Sequence, residues 1–134
     1  MSRVFVDTSA LLALLDADDP RHRATRAAFR DLAEDELVTH GYVVAESLAV
    51  TRRRFGVEGA ITLLDDLLPV IDLLPVDAEL HATAQARYRA SLPSGTSFVD
   101  QVSLVLMSRE GIETALALDA DFAAAGIAVL PSTP

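Results

Sequence analysis

Arg3-Val4-Phe5-Val6-Asp7-Thr8-Ser9-Ala10-Leu11-Leu12-Ala13-Leu14-Leu15-Asp16 opens the chain, and its two halves read differently. Arg3 to Val6 is a short β-prone run that stops at an acid. Ala10 to Leu15 is an apolar helix, to which Thr8 or Ser9 offers an N-cap. A strand that passes straight into a helix is the first unit of an alternating fold, and it leaves Asp7 at the strand's carboxyl end. The apolar run is far shorter than the roughly 18 residues a membrane span needs, and Asp7 and Asp16 bracket it.

Downstream the alternation continues. Asp18, Asp19 and Pro20 punctuate the chain before a helix of about His22 to Ala33, with Ala24, Ala27, Ala28 and Leu32 on one face and Arg23, Arg26 and Arg30 on another. A strand near Leu37 to Thr39 leads into a helix from Tyr42 to Phe55, where Gly56 reads as the C-cap. Val57 to Leu68 repeats the helical period and stops at Pro69, Val70 to Leu74 reads as a strand bounded by Pro75, and Asp77 caps a helix to about Leu92. Pro93 to Thr96 form a loop, Ser97 opens the helix Phe98 to Glu110, and Gly111 closes it. Ala115 to Leu118 and Ile127 to Leu130 are the last strands, separated by Asp119, Ala120, Asp121, Phe122 and an Ala-rich turn. The tail from Pro131 to Pro134 is expected to be loose. Strands alternating with helices and no tight hairpin signal predict a parallel sheet covered on both faces: an α/β, three-layer architecture.

A length of 134 residues predicts one domain over 1–134, and 51% hydrophobic residues can fill a sizeable core. So apolar a small chain is expected to leave apolar surface for a partner or a second copy. The absence of cysteine excludes disulfides and thiolate zinc sites, so any metal must use oxygen or imidazole ligands, and a cytoplasmic protein is the default. A net charge of −9 argues against a nonspecific nucleic-acid binder with a basic face. Carboxylates gathered around a metal would account for part of the excess. Every basic residue is Arg, the better fork for phosphate.

Four acids stand in apolar surroundings: Asp7 after Val4-Phe5-Val6, Glu46 after Val43-Val44-Ala45, Asp100 after Phe98-Val99, and Asp119 after Ala115 to Leu118. Each has a structural reading: a turn or cap for Asp7, a solvent-facing helix position for Glu46, the third residue of a capping box with Ser97 for Asp100, a turn for Asp119. Together they read otherwise, because a doubly wound sheet gathers strand ends and helix starts at one edge. Two carboxylates about 4 Å apart repel by roughly 4 kcal/mol at an effective dielectric near 20, so a cluster protonates, splays or recruits a divalent cation. Magnesium or manganese accepts oxygen ligands, keeps waters and bridges to phosphate, which is the chemistry of phosphodiester hydrolysis.

The opening segment Val4 to Asp16, with Ala45-Glu46, Ser97-Phe98-Val99-Asp100 and Leu118-Asp119-Ala120-Asp121-Phe122, resembles the acidic motifs of PIN domains, particularly VapC-type toxins, in the same order. The resemblance spans nearly the whole chain. It implies that Asp7, Glu46, Asp100 and Asp119 are the catalytic, metal-holding acids, that Asp121 is an auxiliary, and that Ser9 hydrogen-bonds a metal water or a phosphate. It further implies a magnesium- or manganese-dependent ribonuclease acting on RNA, a homodimer, and a cognate antitoxin whose tail enters the active-site groove. One departure stands out: Ala117 occupies the place, two residues before the fourth acid, where such proteins often carry Thr.

Other signals are weaker. Arg52, Arg53 and Arg54 read first as a solvated helix end and second as contacts to RNA phosphate or antitoxin carboxylates. His22, His40 and His81 show no pair at ligand spacing and read as surface or capping residues. Two Tyr, five Phe and no Trp leave few stacking platforms for RNA. A haloacid dehalogenase-type phosphatase needs a second Asp where Ser9 stands, a receiver domain needs a Lys this chain lacks, and a P-loop enzyme needs a glycine-rich loop. The rival from another class is a catalytically silent PIN-like binding module that engages a partner through its acidic groove.

Overall fold

Val4, Phe5 and Val6 are all buried, which is what a strand covered on both faces requires, and they form most of β1 (Arg3–Val6). The structure is a computed structural model and describes residues 2–132. Among them, β2 (Glu36–His40), β3 (Asp72–Leu74), β4 (Thr114–Leu116) and β5 (Ala128–Leu130) join β1 in one sheet of order β3-β2-β1-β4-β5. Every pairing is parallel: Phe5 lies opposite Val38 of β2 and Ala115 of β4. The chain therefore runs outward in one direction from β1 to β3, then crosses back to β4 and continues to β5.

Among the described residues, six helices flank this sheet: α1 (Thr8–Leu15), α2 (His22–Asp31), α3 (Gly41–Thr62), α4 (Ala78–Ser91), α5 (Phe98–Glu110) and α6 (Ala120–Ala124). Right-handed crossovers send α1 to α3 to one face and α4 to α6 to the other. Contacts agree, since α1 packs on α2 and α3, and α4 packs on α5. Phe5, His40 and Phe122 meet on the α5–α6 face, with ring centroids 5.6 Å and 6.2 Å from Phe5. His40 is fully buried, accepts the Tyr42 and Val43 N–H groups at Nδ1, and lies 2.8 Å from Ser103 Oγ at Nε2. It is a capping histidine, and burial pushes its pKa down to about 4. No helix among the described residues is long and apolar enough to cross a membrane.

The structure departs from the sequence expectations in several places. The N-cap of α1 is Asp7, one residue before Thr8, because its carboxylate reaches the Ser9 N–H. Gly56 breaks the helical path at φ 74° and ψ −162°, yet α3 resumes to Thr62. The next residues do not stay α-helical to Leu68. A π turn (Leu63–Leu67) and a 3-10 turn (Leu68–Val70) carry the chain past Pro69, so β3 starts only at Asp72. The Ala-rich turn after Asp119 is the helix α6, as its run of strong helix formers permits. Residues 133–134 of the expected loose tail lie outside the described residues.

Gly56 and Gly111 hold positive φ, and a Cβ at either position meets nothing within 4 Å. A substitution there costs only conformational energy. Gly111 ends α5 in the ordinary left-handed region, φ 68° and ψ 30°, whereas Gly56 sits in a region that side chains essentially never enter. Gly111→Ala is expected to cost about 1 kcal/mol and Gly56→Ala about 2 to 3 kcal/mol in urea denaturation. Equal midpoints for both variants and the parent would show that neither break depends on glycine.

Candidate active site

The strand order reverses between β1 and β4, and in open sheets of this kind the crevice beyond the strand ends at that reversal is where ligands bind. Asp7 follows β1 immediately and its N–H donates to the Leu116 carbonyl of β4 at 3.0 Å. Its carboxylate is nearly closed off from solvent. The Asp7 Oδ2 accepts from Ser9 N at 3.1 Å and from Ser9 Oγ at 2.6 Å, the latter a short charge-assisted bond. The same Ser9 oxygen accepts the Leu118 N–H at 2.9 Å. One hydroxyl thus ties the end of β1 to the chain leaving β4, and Asp119 is the next residue. The Ser9 proton is committed to Asp7, so this hydroxyl could accept from a water but has no hydrogen left for a phosphate oxygen.

Asp119 caps α6 through the Asp121 N–H at 3.1 Å. Ser97 caps α5 through the Asp100 N–H at 3.1 Å, half of the expected capping box. These two caps aim acids at each other: one carboxylate oxygen from each of Asp100, Asp119 and Asp121 lies within 4.8 Å of the others. Burial pushes the Asp100 carboxyl up to about 8, and the charges of Asp7, Asp119 and Asp121 push in the same direction. Burial also raises Asp7, against the hydrogen bonds from Ser9 and with a small push from Asp119. Such acids carry fewer negative charges than carboxylates unless a cation joins them.

Asp7, Glu46, Asp100 and Asp119 line one open concavity of about 330 Å³, which is room for several waters at roughly 30 Å³ each. Asp121, read from sequence as an auxiliary, belongs to the tight oxygen group. Asp7 and Glu46 line the concavity without belonging to it. Glu46 approaches from α3, and Val50 and Arg54 follow it at helical spacing along the same face. Arg54 pairs with Asp16 at 3.3 Å, while Arg52 and Arg53 are solvent-exposed. The sequence placed neither Thr8, Ser47 nor Gly95 at the site, reading Thr8 only as a possible helix cap and Gly95 only as part of a loop. Thr8 and Gly95 line the concavity, and Thr8 Oγ1 accepts from buried Ser47 at 3.3 Å. The hydroxyl pair after Asp7 was a legible signal for Thr8, whereas nothing local marked Ser47 or Gly95. Ala117 is buried and does not line this concavity.

The donor set is hard oxygen, one carboxylate oxygen from each of three acids within 4.8 Å of the others, so these residues fit a magnesium or manganese ion. Residues 4–128 match the family described as PIN domain. The chain is 32% identical over 124 residues to the 23S rRNA-specific endonuclease VapC20 of Mycobacterium tuberculosis, covering 92% of this chain and 94% of that protein. It is 31% identical over 120 residues to Ribonuclease VapC26 of Mycobacterium tuberculosis, covering 87% of this chain and 86% of the relative. The crystal structure of VapC20, described as a Sarcin-Ricin loop cleaving toxin, superposes with a TM-score of 0.84 at 31% identity over 92% of this chain and 95% of that one. FitAcB from Neisseria gonorrhoeae shares the fold, with a TM-score of 0.69 at 19% identity over 96% of each chain.

The lifted Asp100 carboxyl has a consequence for stability. Between its ordinary value of 3.8 and about 8, the folded protein holds a proton that the unfolded chain releases, so stability on this account falls as pH rises through that window. Asp7, also raised, acts in the same direction. Asp19 and Asp77 are held low, chiefly by the Arg21 side chain and the Leu80 N–H, and lose their contribution only below 3.8. In chelator, the urea midpoint is expected to fall from pH 5 to pH 8, and Asp100→Asn to flatten that slope. Manganese is expected to restore the parent more at pH 8 than at pH 5. Parallel pH slopes for parent and variant would count against a protonated Asp100.

Proposed function

The chain belongs to the PIN-domain family, and on that premise we propose that it is a metal-dependent endoribonuclease, the toxin of a VapBC-type toxin–antitoxin pair. The observation that carries the reading is the group of carboxylates with oxygens within 4.8 Å, opening onto a concavity large enough for a hydrated phosphodiester. The identity to two named ribonucleases along about nine tenths of the chain supports it.

Asp100, Asp119 and Asp121 would hold the ion, with Asp7 and Glu46 completing the acidic wall. When bound, magnesium or manganese supplies Lewis acidity toward a phosphoryl oxygen and a more acidic water. Ser9 aims Asp7 and opposes the effect of burial, because its O–H hydrogen bond favours the carboxylate form. Glu46, on the α3 wall, would orient a water and take its proton as the water oxygen bonds to phosphorus and the leaving oxygen departs. Arg54, beyond Val50 on the same helix, would meet a flanking phosphate by exchanging its exposed pair with Asp16, a trade that costs little.

The partners follow from the same reading: an RNA substrate, a VapB-type antitoxin that covers the acidic concavity, a second copy of this chain, and a cytoplasmic setting. For the second copy, Val57, Ile61 and Leu64 form an exposed apolar stripe at helical spacing, 56%, 50% and 49% accessible.

Cleavage of RNA is expected to require magnesium or manganese and to stop in chelator. Asp7→Asn and Asp100→Asn are expected to lower it by at least about a hundredfold. Cleavage indifferent to Asp7→Asn would refute the mechanism, and an inactive parent that still binds manganese would favour the silent binding module. Sedimentation at micromolar concentration is expected to show a dimer for the parent and a monomer for Ile61→Asp. A monomeric parent would remove the second copy from the proposal.

A further inference from the structure

Asp119 lines two concavities. One is the acidic site; the other, of about 400 Å³, is bounded by Arg21 and Ala24 from the start of α2, Ala117 after β4, and Ala120 and Ala123 of α6. Four alanines keep this second groove open and give it methyl walls. Its volume is many times the roughly 30 Å³ of a water, enough for a planar heterocycle. Arg21 is the cation in its lining. Its pair with Asp19, at 3.2 Å, leaves the arginine side chain 56% accessible, and an exposed pair of this kind is readily exchanged for phosphate.

Five of the seven Phe and Tyr side chains are packed against other rings. Tyr42 stacks on Phe98 at 6.0 Å, His81 and Tyr88 meet Phe98 edge-on at 5.3 Å and 6.0 Å, and Phe122 is buried against Phe5. Beside Asp119, the alanine groove offers apolar surface that can take the face of a base.

We propose that this groove seats the nucleobase next to the scissile phosphate of a single-stranded RNA segment, with Arg21 pairing to a neighbouring phosphate. The inference rests on the ribonuclease reading and adds the element of substrate recognition to it. Two features favour RNA over a peptide: the groove shares Asp119 with the acidic site, and Arg21 in its lining supplies a cation for a phosphate. Ala117 fits the same account, because a larger side chain at this buried position would take space from the groove.

The test uses the parent protein with manganese and an oligoribonucleotide whose cleavage position has been mapped. An abasic residue placed on one side of the scissile phosphate is expected to lower kcat/KM by about tenfold or more, and on the other side to do much less. Ala123→Leu, which fills the groove, is expected to cost a similar factor on the intact oligonucleotide and little beyond that on the abasic one. Arg21→Ala is expected to raise KM and to lessen the salt dependence by about one counterion. Equal losses on intact and abasic RNA for Ala123→Leu, or abasic RNA cut as fast as intact, would overturn the groove. Unchanged cleavage by Ala123→Leu together with weaker binding of an antitoxin peptide would assign the groove to that peptide. If the parent cuts no RNA, the nuclease reading fails, and binding of 2-aminopurine RNA to Asp7→Asn protein decides the groove: a fluorescence change lost in the added Ala123→Leu keeps it, and no change rejects it.

Discussion

A carboxylate is held almost out of water at the end of a central strand, and one serine hydroxyl makes that tenable. Ser9 donates to Asp7 at 2.6 Å and accepts from Leu118 N–H at 2.9 Å. Without it, Asp7 would lose its strongest partner and Leu118 would leave an amide unsatisfied, each a loss of about 1 to 3 kcal/mol. The bond also does positional work. It fixes where the chain goes after β4, and so where Asp119 and the short helix it caps present their acids. The β1–β4 pairing supplies the strand ends, and Ser9 converts them into a site.

The rest of the acidic centre is assembled from helix starts. Asp7 caps α1, Asp119 caps α6, and Asp100 stands one turn inside α5 behind its Ser97 cap. Carboxylates at helix N-termini are individually favoured by the helix dipole, which is why ordinary local rules tolerate each one. Their sum is unfavourable, since burial and mutual repulsion lift Asp100 to about 8. Local stability and collective strain coexist here, and a divalent cation would relieve the second without disturbing the first. Asp7, Glu46, Asp100, Asp119 and Asp121 are five of the acids behind the formal net charge of −9, and a metal held among them would offset part of it.

On the opposite face of the sheet's logic, the polar residues that chemistry does not need are spent on architecture. His40 caps α3 from full burial and stays neutral, and the Tyr42–His81 pair, 2.7 Å apart, sits among the packed aromatics of α3, α4 and α5. Most of the aromatic rings are thereby committed to the scaffold, and alanines line the groove on the far side of Asp119. The alanine-lined groove beside Asp119 leaves depth where an aromatic would leave a flat shelf.

Alternation of strand and helix was legible from residue patterns alone. So were the strand-terminal position of Asp7, the caps at Ser97 and Asp77, and the αL glycine after Glu110, because period, capping and turn chemistry act within a few residues of each other. The four acids could be nominated for the same reason: each is an exception to its local apolar setting. Sequence could not say that Asp121 would join Asp100 and Asp119 more tightly than Asp7 or Glu46 does, nor that α6 would form after Asp119. It could not show that Ser9 would face inward to bind Leu118, 109 positions away. Those outcomes depend on the parallel register of β1 against β4 and on the direction in which each helix leaves the sheet. Both are set by packing between segments distant along the chain, where no local rule reaches.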